Sequence, residues 1–275
     1  MNVAATPQEQ SNGWTHETAP DFRRYYEDNH DSPAARARFI PVMERVLEVR
    51  LRRGLSAERL SVLDIGCGPG AQCLLWAEGG HRVSGVDISA DFVELARKRL
   101  ERHGLNGDFE TASATALPIG SSSKDVVLLP ELLEHVADWQ SVISEADRVL
   151  KPEGVLYLST TNVLCPKQME FELPLYSWYP DFVKRKVKRL SVTSHPHFAN
   201  HAQYPAVNWF TYRGLIHHLE AMGYKCYTRF DLFRHEGRGK LTSPALRWAR
   251  DSGLLGLAGQ ILTAFTVLYC VKDRR

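Results

Sequence analysis

Between Val62 and Gly70 the chain reads VLDIGCGPG, an acid at Asp64 followed by glycines at positions 66, 68 and 70. Glycine loses more backbone entropy on folding than any other residue, so such a cluster needs a reason. The usual reason is a tight turn that a ligand approaches closely. The N–H groups of the turn and of a following helix suit an anionic group, whether a pyrophosphate or a carboxylate. Twenty-one residues after Gly66 stands a second acid, Asp87, at the spacing where a carboxylate accepts both hydroxyls of an adenosine ribose. A purely structural turn also produces Gly-x-Gly. Two features sharpen the signal: the spacing is G-x-G-x-G, not the G-x-G-x-x-G of dinucleotide enzymes, and Asp64 stands just before it.

A second group of reactive side chains follows in ELLEHVAD, residues 131–138. On a helix Glu131, Glu134 and His135 would share one face. Three readings stay open for them: packing and capping groups of a turn, a general base, or an oxygen-and-nitrogen site for a divalent metal. Further on, LPLYSWYPDFVKRKVKRL (173–190) sets Tyr176, Trp178, Tyr179 and Phe182 beside five cations. That mixture suits either an interfacial helix on an anionic membrane or a lid over the active site. The spacing of His195, His197 and His201 could suit a metal. A loop lending one histidine to the substrate pocket fits better, and surface histidines with no role fit better still. Asn208 to Thr211 read as pocket wall, and Arg36 and Arg38 as a solvated face of a helical cap.

These residues need a frame, and the 275-residue chain supplies one. Hydrophobic residues make up 44%, enough for an ordinary core, and the formal net charge of +2 gives no whole-protein footprint for nucleic acid. Five cysteines lie scattered without a C-x-x-C pair, which points to reduced thiols in a cytoplasm and away from a disulfide or zinc framework. The N-terminus lacks a cationic region followed by an apolar run, so no secretion signal is expected. Residues 1–18 read as a polar tail and 19–57 as a helical cap. The uncharged run 252–271 is long enough to span a bilayer, but its polar and β-branched residues favour a helix running into a buried strand.

Strands and helices alternate from Ser61 onward. Strands are predicted over 61–66, 81–89, 108–114, 124–130 and 154–161, with a Lys151–Gly154 turn before the last. Helices are predicted over 71–80, 90–105 and 141–150. A helix over 209–224 and strands over 224–233 and 266–273 close the pattern, interrupted by insertions at about 163–205 and 235–260. Such alternation implies an α/β fold with a mainly parallel sheet covered on both faces. Right-handed crossovers put the strand carboxyl ends, and with them the glycine cluster, on one ligand-binding edge.

At this point the sequence resembles the class I S-adenosylmethionine-dependent methyltransferases. VLDIGCGPG is similar to their first motif and GVDIS to their second. ALPIGSSSKDVVLLPELLEHVADW is similar to the third and fourth, and RVLKPEGVLYLSTTN to the fifth and sixth. The likeness is dense over 58–162. It implies a Rossmann-like, doubly wound, seven-stranded sheet with one antiparallel C-terminal strand, the domain filling residues 58–275. It further implies that Gly66, Cys67, Gly68 and Gly70 wrap the methionine moiety of S-adenosylmethionine. Asp64 would receive its ammonium, Asp87 its ribose and Ile88 its adenine. Ser113 stands where many relatives carry an acid facing the adenine amino group, with Ala114 at the adenine edge. Leu129 and Pro130 would lie beside the sulfonium. Ubiquinone-biosynthesis O-methyltransferases share the E-x-x-E-H run, which in that family can hold magnesium.

The function expected on these grounds is methyl transfer to a small-molecule hydroxyl (phenol, quinol or sugar), with His135 and Glu131 as the candidate catalytic pair. N- or C-methylation, a dinucleotide oxidoreductase and a non-catalytic cofactor-binding partner are the competing readings. No nucleic-acid partner is expected, and peripheral membrane contact is expected through residues 173–190.

Overall fold

The computed structural model describes residues 33–167, 171, 173–193, 206–233 and 254–274. The histidines at 195, 197 and 201, the tail and most of the second insertion lie outside them. Seven strands form one sheet in the order β3-β2-β1-β4-β5-β7-β6. They are β1 (Ser61–Ile65), β2 (Arg82–Asp87), β3 (Asp108–Thr111), β4 (Lys124–Pro130), β5 (Leu150–Thr161), β6 (Tyr224–Thr228) and β7 (Phe265–Lys272). Only β7 runs antiparallel to its neighbours. The strand order reverses beside β1, so its carboxyl end opens onto the crevice where such sheets bind ligands.

Period-two alternation divides the core into two layers. Val62 of β1, Val126 and Leu128 of β4 and Tyr157 of β5 face one side. There they meet α1 (Pro33–Arg52), α2 (Ala71–Glu78) and α3 (Ala90–Arg102). Leu63, Ile65, Val127 and Leu129 face the other side, against α4 (Trp139–Val149) and α6 (Tyr212–Ala221). The cap helix α1 offers Val42, Val46 and Val49 at helical spacing, and these seal the first layer.

The structure changes three sequence-based expectations. Lys151–Gly154 do not form a separate turn. They lie inside a twelve-residue β5 whose pairing with β4 shifts between Lys124 and Val126, so the extra residues are absorbed as a bulge with Glu153 at φ 60°. The strand expected over 224–233 stops at Thr228, and Arg229–Phe233 form a short helix, α7. The cause is a reciprocal cap: the Asp231 carboxylate accepts from the Thr228 N–H at 2.9 Å, and the Asp231 N–H donates to the Thr228 hydroxyl at 3.1 Å. Finally, residues 131–138 form no helix but a succession of turns.

In the described part of the run 252–271 a helix, α8 (Leu254–Leu262), leads into β7, as expected. Among the described residues no helix is long and apolar enough to cross a membrane. In the first insertion, α5 (Asp181–Thr193) follows a single 3-10 turn at Tyr176–Trp178. Tyr176 turns inward and stacks on Phe171 with ring centroids 4.0 Å apart, whereas Trp178 and Phe182 stay 55% and 68% exposed.

Candidate active site

The glycine loop joins β1 to α2, and each glycine has its own reason to be there. Gly70 sits at φ 81°, and a Cβ there would lie 2.7 Å from the Ala96 Cβ of α3. Gly66, at φ 72°, would meet Leu132 at 3.0 Å. Gly68 differs: at φ 49° its Cβ would project into open space. Two of the glycines therefore serve packing, and the third keeps the approach to the loop clear. The buried Arg99 side chain of α3 holds the loop from behind by donating to the Pro69 carbonyl.

Asp87, at the end of β2, ties this loop to the second acid. Its Oδ2 accepts from the Gly68 N–H at 2.8 Å and its Oδ1 from the Ser89 N–H at 2.9 Å. Asp87 thus ties the end of β2 to the glycine loop and to the turn that opens α3. Ile88 follows with its side chain half exposed, an apolar surface at the crevice rim. Ser113 is exposed and hydrogen-bonded to Thr115, with Ala114 half-buried beside it.

Asp64 lies on the same face of the sheet as Val62 and is 2% exposed. Its Oδ1 is buried without a hydrogen-bond partner, and its Oδ2 has only the Cys73 thiol at 3.9 Å. Burial first, and the nearby charge of Asp87 second, push its pKa up to about 8. An orphaned buried acid is expensive unless something arrives to pair with it, and a cation is the natural candidate. Gln72, at the second position of α2, is also buried with both amide atoms unpaired. The Cys67 and Cys73 thiols are pushed well above the ordinary range by burial, which leaves them without nucleophilic character.

The acid–histidine run does not act as one cluster. Glu131 (φ 50°) is half-buried and pairs with Arg38 of the cap helix. Glu134 is fully buried and accepts from the Thr160 hydroxyl at 2.7 Å. His135 is half-buried in the same turn, its N–H donating to the Leu132 carbonyl. Because the segment is not helical, the three side chains share no face, and among the described residues no group of His, Cys, Asp or Glu is placed to hold a metal. Pro130 is half-buried at the edge; the Leu129 side chain is wholly buried among Leu63, Ile65 and Ile143, so only its backbone reaches the crevice.

Sequence reasoning read Asn208 as pocket wall and did not give its part in holding this turn. The Asn208 amide donates to the Leu133 and Val136 carbonyls at 2.9 and 2.7 Å, and its backbone N–H donates to Glu134. Arg38 also does more than face solvent, since it docks the cap onto the residue that follows β4. Arg36 pairs with Glu78 at the end of α2. Gly85 of β2 carried a readable signal, because a glycine inside a strand marks a close approach. A Cβ there would lie 2.6 Å from the Phe109 ring and 2.8 Å from the Cys67 sulfur.

Comparison with known proteins fits this geometry. A family model described as a methyltransferase domain matches residues 63–158, the span from β1 through most of β5. Residues 63–158 form a methyltransferase domain. A ubiquinone biosynthesis O-methyltransferase from Bartonella tribocorum is 35% identical over 105 residues, covering 38% of this chain and 42% of that protein. One from Chelativorans sp. is 38% identical over 105 residues, with the same coverage. The match thus spans less than half the length of these curated relatives. The chain as a whole is similar in fold to a chain in the complex between the Haloferax volcanii Trm112 methyltransferase activator and a methyltransferase. The TM-score is 0.53 at 18% identity, over 92% of this chain and 98% of that one. At that identity the likeness speaks to the fold alone.

Proposed function

We infer that the protein transfers a methyl group from S-adenosylmethionine to a hydroxyl oxygen of a small molecule. The observation that carries this reading is the buried, unpartnered Asp64 Oδ1 beside a glycine loop whose middle residue faces open space. An ammonium would satisfy the first, and the Asp87 carboxylate at the end of β2 would meet the ribose hydroxyls. Ile88 offers adenine an apolar face. Bound in this crevice, S-adenosylmethionine supplies an electrophilic sulfonium methyl.

The chain's own task is alignment. Orientation of two reactants is worth about 7–11 kcal/mol at best, and a positioned base adds roughly 10²–10⁴-fold. Pro130 ends β4 at the crevice edge, and the turn held by Asn208 presents His135 next to it. In this reading His135 takes the hydroxyl proton, and Glu131, fixed by Arg38, orients the acceptor side. Glu134 is committed to Thr160 and supports the turn from within.

O-methylation is favoured by the ubiquinone O-methyltransferase names of the relatives. The test is twofold: calorimetric titration with S-adenosylhomocysteine, then mass detection of methyl transfer across a panel of phenols, quinols and sugars. Binding together with transfer to oxygen is expected. Tighter binding of NAD than of S-adenosylhomocysteine would reverse the reading.

We also propose that the first insertion touches an anionic membrane. Phe182 in the first turn of α5 is 68% exposed, and Trp178 in the preceding 3-10 turn is 55% exposed while its indole N–H donates to the Val163 carbonyl; the exposed cations Arg185, Lys186 and Arg189 share α5. Lys184 instead packs its ammonium 5.3 Å over the Trp209 ring.

A further inference from the structure

Two of the five cysteines face each other at the edge of the sheet. Cys226 of β6 stands directly opposite Cys270 of β7 in their antiparallel pairing. The sulfurs lie 2.7 Å apart, the Cys270 thiol donating to the Cys226 sulfur. Residues opposed across antiparallel strands have Cα atoms about 4.5–5.5 Å apart, and a disulfide accepts about 4.4–6.8 Å. The register therefore holds the two side chains at bridging distance without any movement of a strand. Packing would accept any small apolar residue at either position. Only a pair of thiols can be joined.

The two thiols differ in access. Cys270 is wholly buried in the layer shared by Leu219 and Tyr224, and burial pushes its thiol well above the ordinary range. Cys226 lies on the edge strand and is the one cysteine of the five that is not buried. An oxidant arriving from solvent meets Cys226 first, with Cys270 directly behind it. An accessible thiol backed by a second one is the arrangement that redox-sensing cysteines use. The pair also spans a particular piece of the chain. The two residues are 44 positions apart, and α7 and α8 lie between them, after β6 and before β7. A bridge would fasten the edge strand to its neighbour and close that excursion at its base.

We propose that Cys226 and Cys270 form a reversible disulfide when the folded chain meets a peroxide. In the first step the Cys226 thiolate attacks one peroxide oxygen and the O–O bond breaks. The departing hydroxide takes up the proton that Cys226 released and becomes water, leaving a sulfenic acid on Cys226. In the second step the Cys270 sulfur attacks the Cys226 sulfur and the S–O bond breaks. Hydroxide leaves with the Cys270 proton as a second water. Two thiols have lost two electrons and two protons, and one peroxide has become two waters. Thiol reductants return the pair to its starting state by exchange. Where thiols are ordinarily kept reduced, such bridges are transient and redox-sensing.

The test exposes the full folded chain to hydrogen peroxide and quenches it at acid pH, where thiol–disulfide exchange stops. Peptides are then mapped by mass spectrometry without reductant. The expected product is a bridged pair of peptides carrying Cys226 and Cys270, lighter by two hydrogens than the thiol forms and separated again by dithiothreitol. Because the bridge closes a long loop, the oxidised chain is expected to unfold roughly 5–10 °C higher than the reduced one. Cys270→Ala is expected to stop at the sulfenic acid of Cys226, which dimedone captures, and Cys226→Ala to leave Cys270 a thiol. The proposal is overturned if the wild-type chain keeps Cys226 as a thiol, carries it to the sulfinic acid unbridged, or joins it to another cysteine. A bridged chain that unfolds no higher than the reduced one also overturns it, because the bridge would then not fit the native register. These outcomes are read on the wild-type chain, so they do not depend on either variant folding. No cofactor enters the measurement, so its result is separate from the methyltransferase reading.

Discussion

The carboxylate of Asp87 accepts a hydrogen bond from the backbone N–H of Gly68 at 2.8 Å. The two acids of the crevice thus play different parts. Asp87 shapes the glycine loop from β2, whereas Asp64 waits beneath it without a partner for Oδ1. Asp87→Ala removes the loop's hydrogen bond and, on the proposed function, the ribose acceptor. Its expected effect is a stability loss of about 1–2 kcal/mol and at least a roughly 100-fold weaker binding of S-adenosylhomocysteine. Denaturant unfolding and calorimetry read the two separately.

The glycines give a sharper contrast. Gly70→Ala drives a Cβ against Ala96 and forces a left-handed φ on alanine, for an expected loss of roughly 2–4 kcal/mol. Gly68→Ala meets no neighbour and should cost only about 1 kcal/mol. It should nevertheless abolish measurable S-adenosylhomocysteine binding, because its methyl group occupies the ligand's approach. A Gly68→Ala protein that binds normally would remove the loop from the site.

Asp64 predicts a pH signature. Its folded-state pKa of about 8 lies above its unfolded value near 3.8. Its stability contribution is therefore fully present below the unfolded pKa and is lost as pH rises from about 4 to about 8, at about 1.4 kcal/mol per pH unit. Asp64→Asn should flatten that slope, which chemical denaturation at several pH values will show. An arriving ammonium favours the carboxylate, so cofactor binding at pH 7 should release a proton. Calorimetry in buffers of different ionisation enthalpy measures that release, and proton-neutral binding would contradict the role given to Asp64.

The Arg38–Glu131 pair is half exposed on the arginine side, so it should contribute little to stability, about 0–1 kcal/mol. Its expected work is orientation. Arg38→Met should leave the unfolding midpoint nearly unchanged and lower kcat while S-adenosylhomocysteine affinity holds. Equal turnover in both proteins would reduce the pair to a surface contact.

Membrane contact is open to a direct assay. Co-sedimentation with vesicles containing about 30% anionic lipid should pull down the wild-type chain and fall steeply with added salt. The double variant Trp178→Ser, Phe182→Ser should stay in the supernatant. Equal binding to neutral vesicles would argue against the basic helix as the determinant.

Much of this protein was legible without coordinates, and the reason is local. Strand alternation, the G-x-G-x-G turn and the acid ending β2 depend on period and spacing over a few residues. They named the sheet, its two closing strands and the crevice at Asp64 and Asp87. The predicted helical face through Glu131, Glu134 and His135 failed because Asn208, more than seventy residues away, clamps that segment into turns. The partner of Arg38 and the burial of the Leu129 side chain also depend on which strands and helices become neighbours. The sequence alone determined the fold class and the crevice between Asp64 and Asp87, whose residues sit within single βα units. Only the tertiary structure decided how the cap helix and the turn after β4 meet that crevice, because those contacts join segments far apart in the chain, and no short-range pattern records which of their side chains meet.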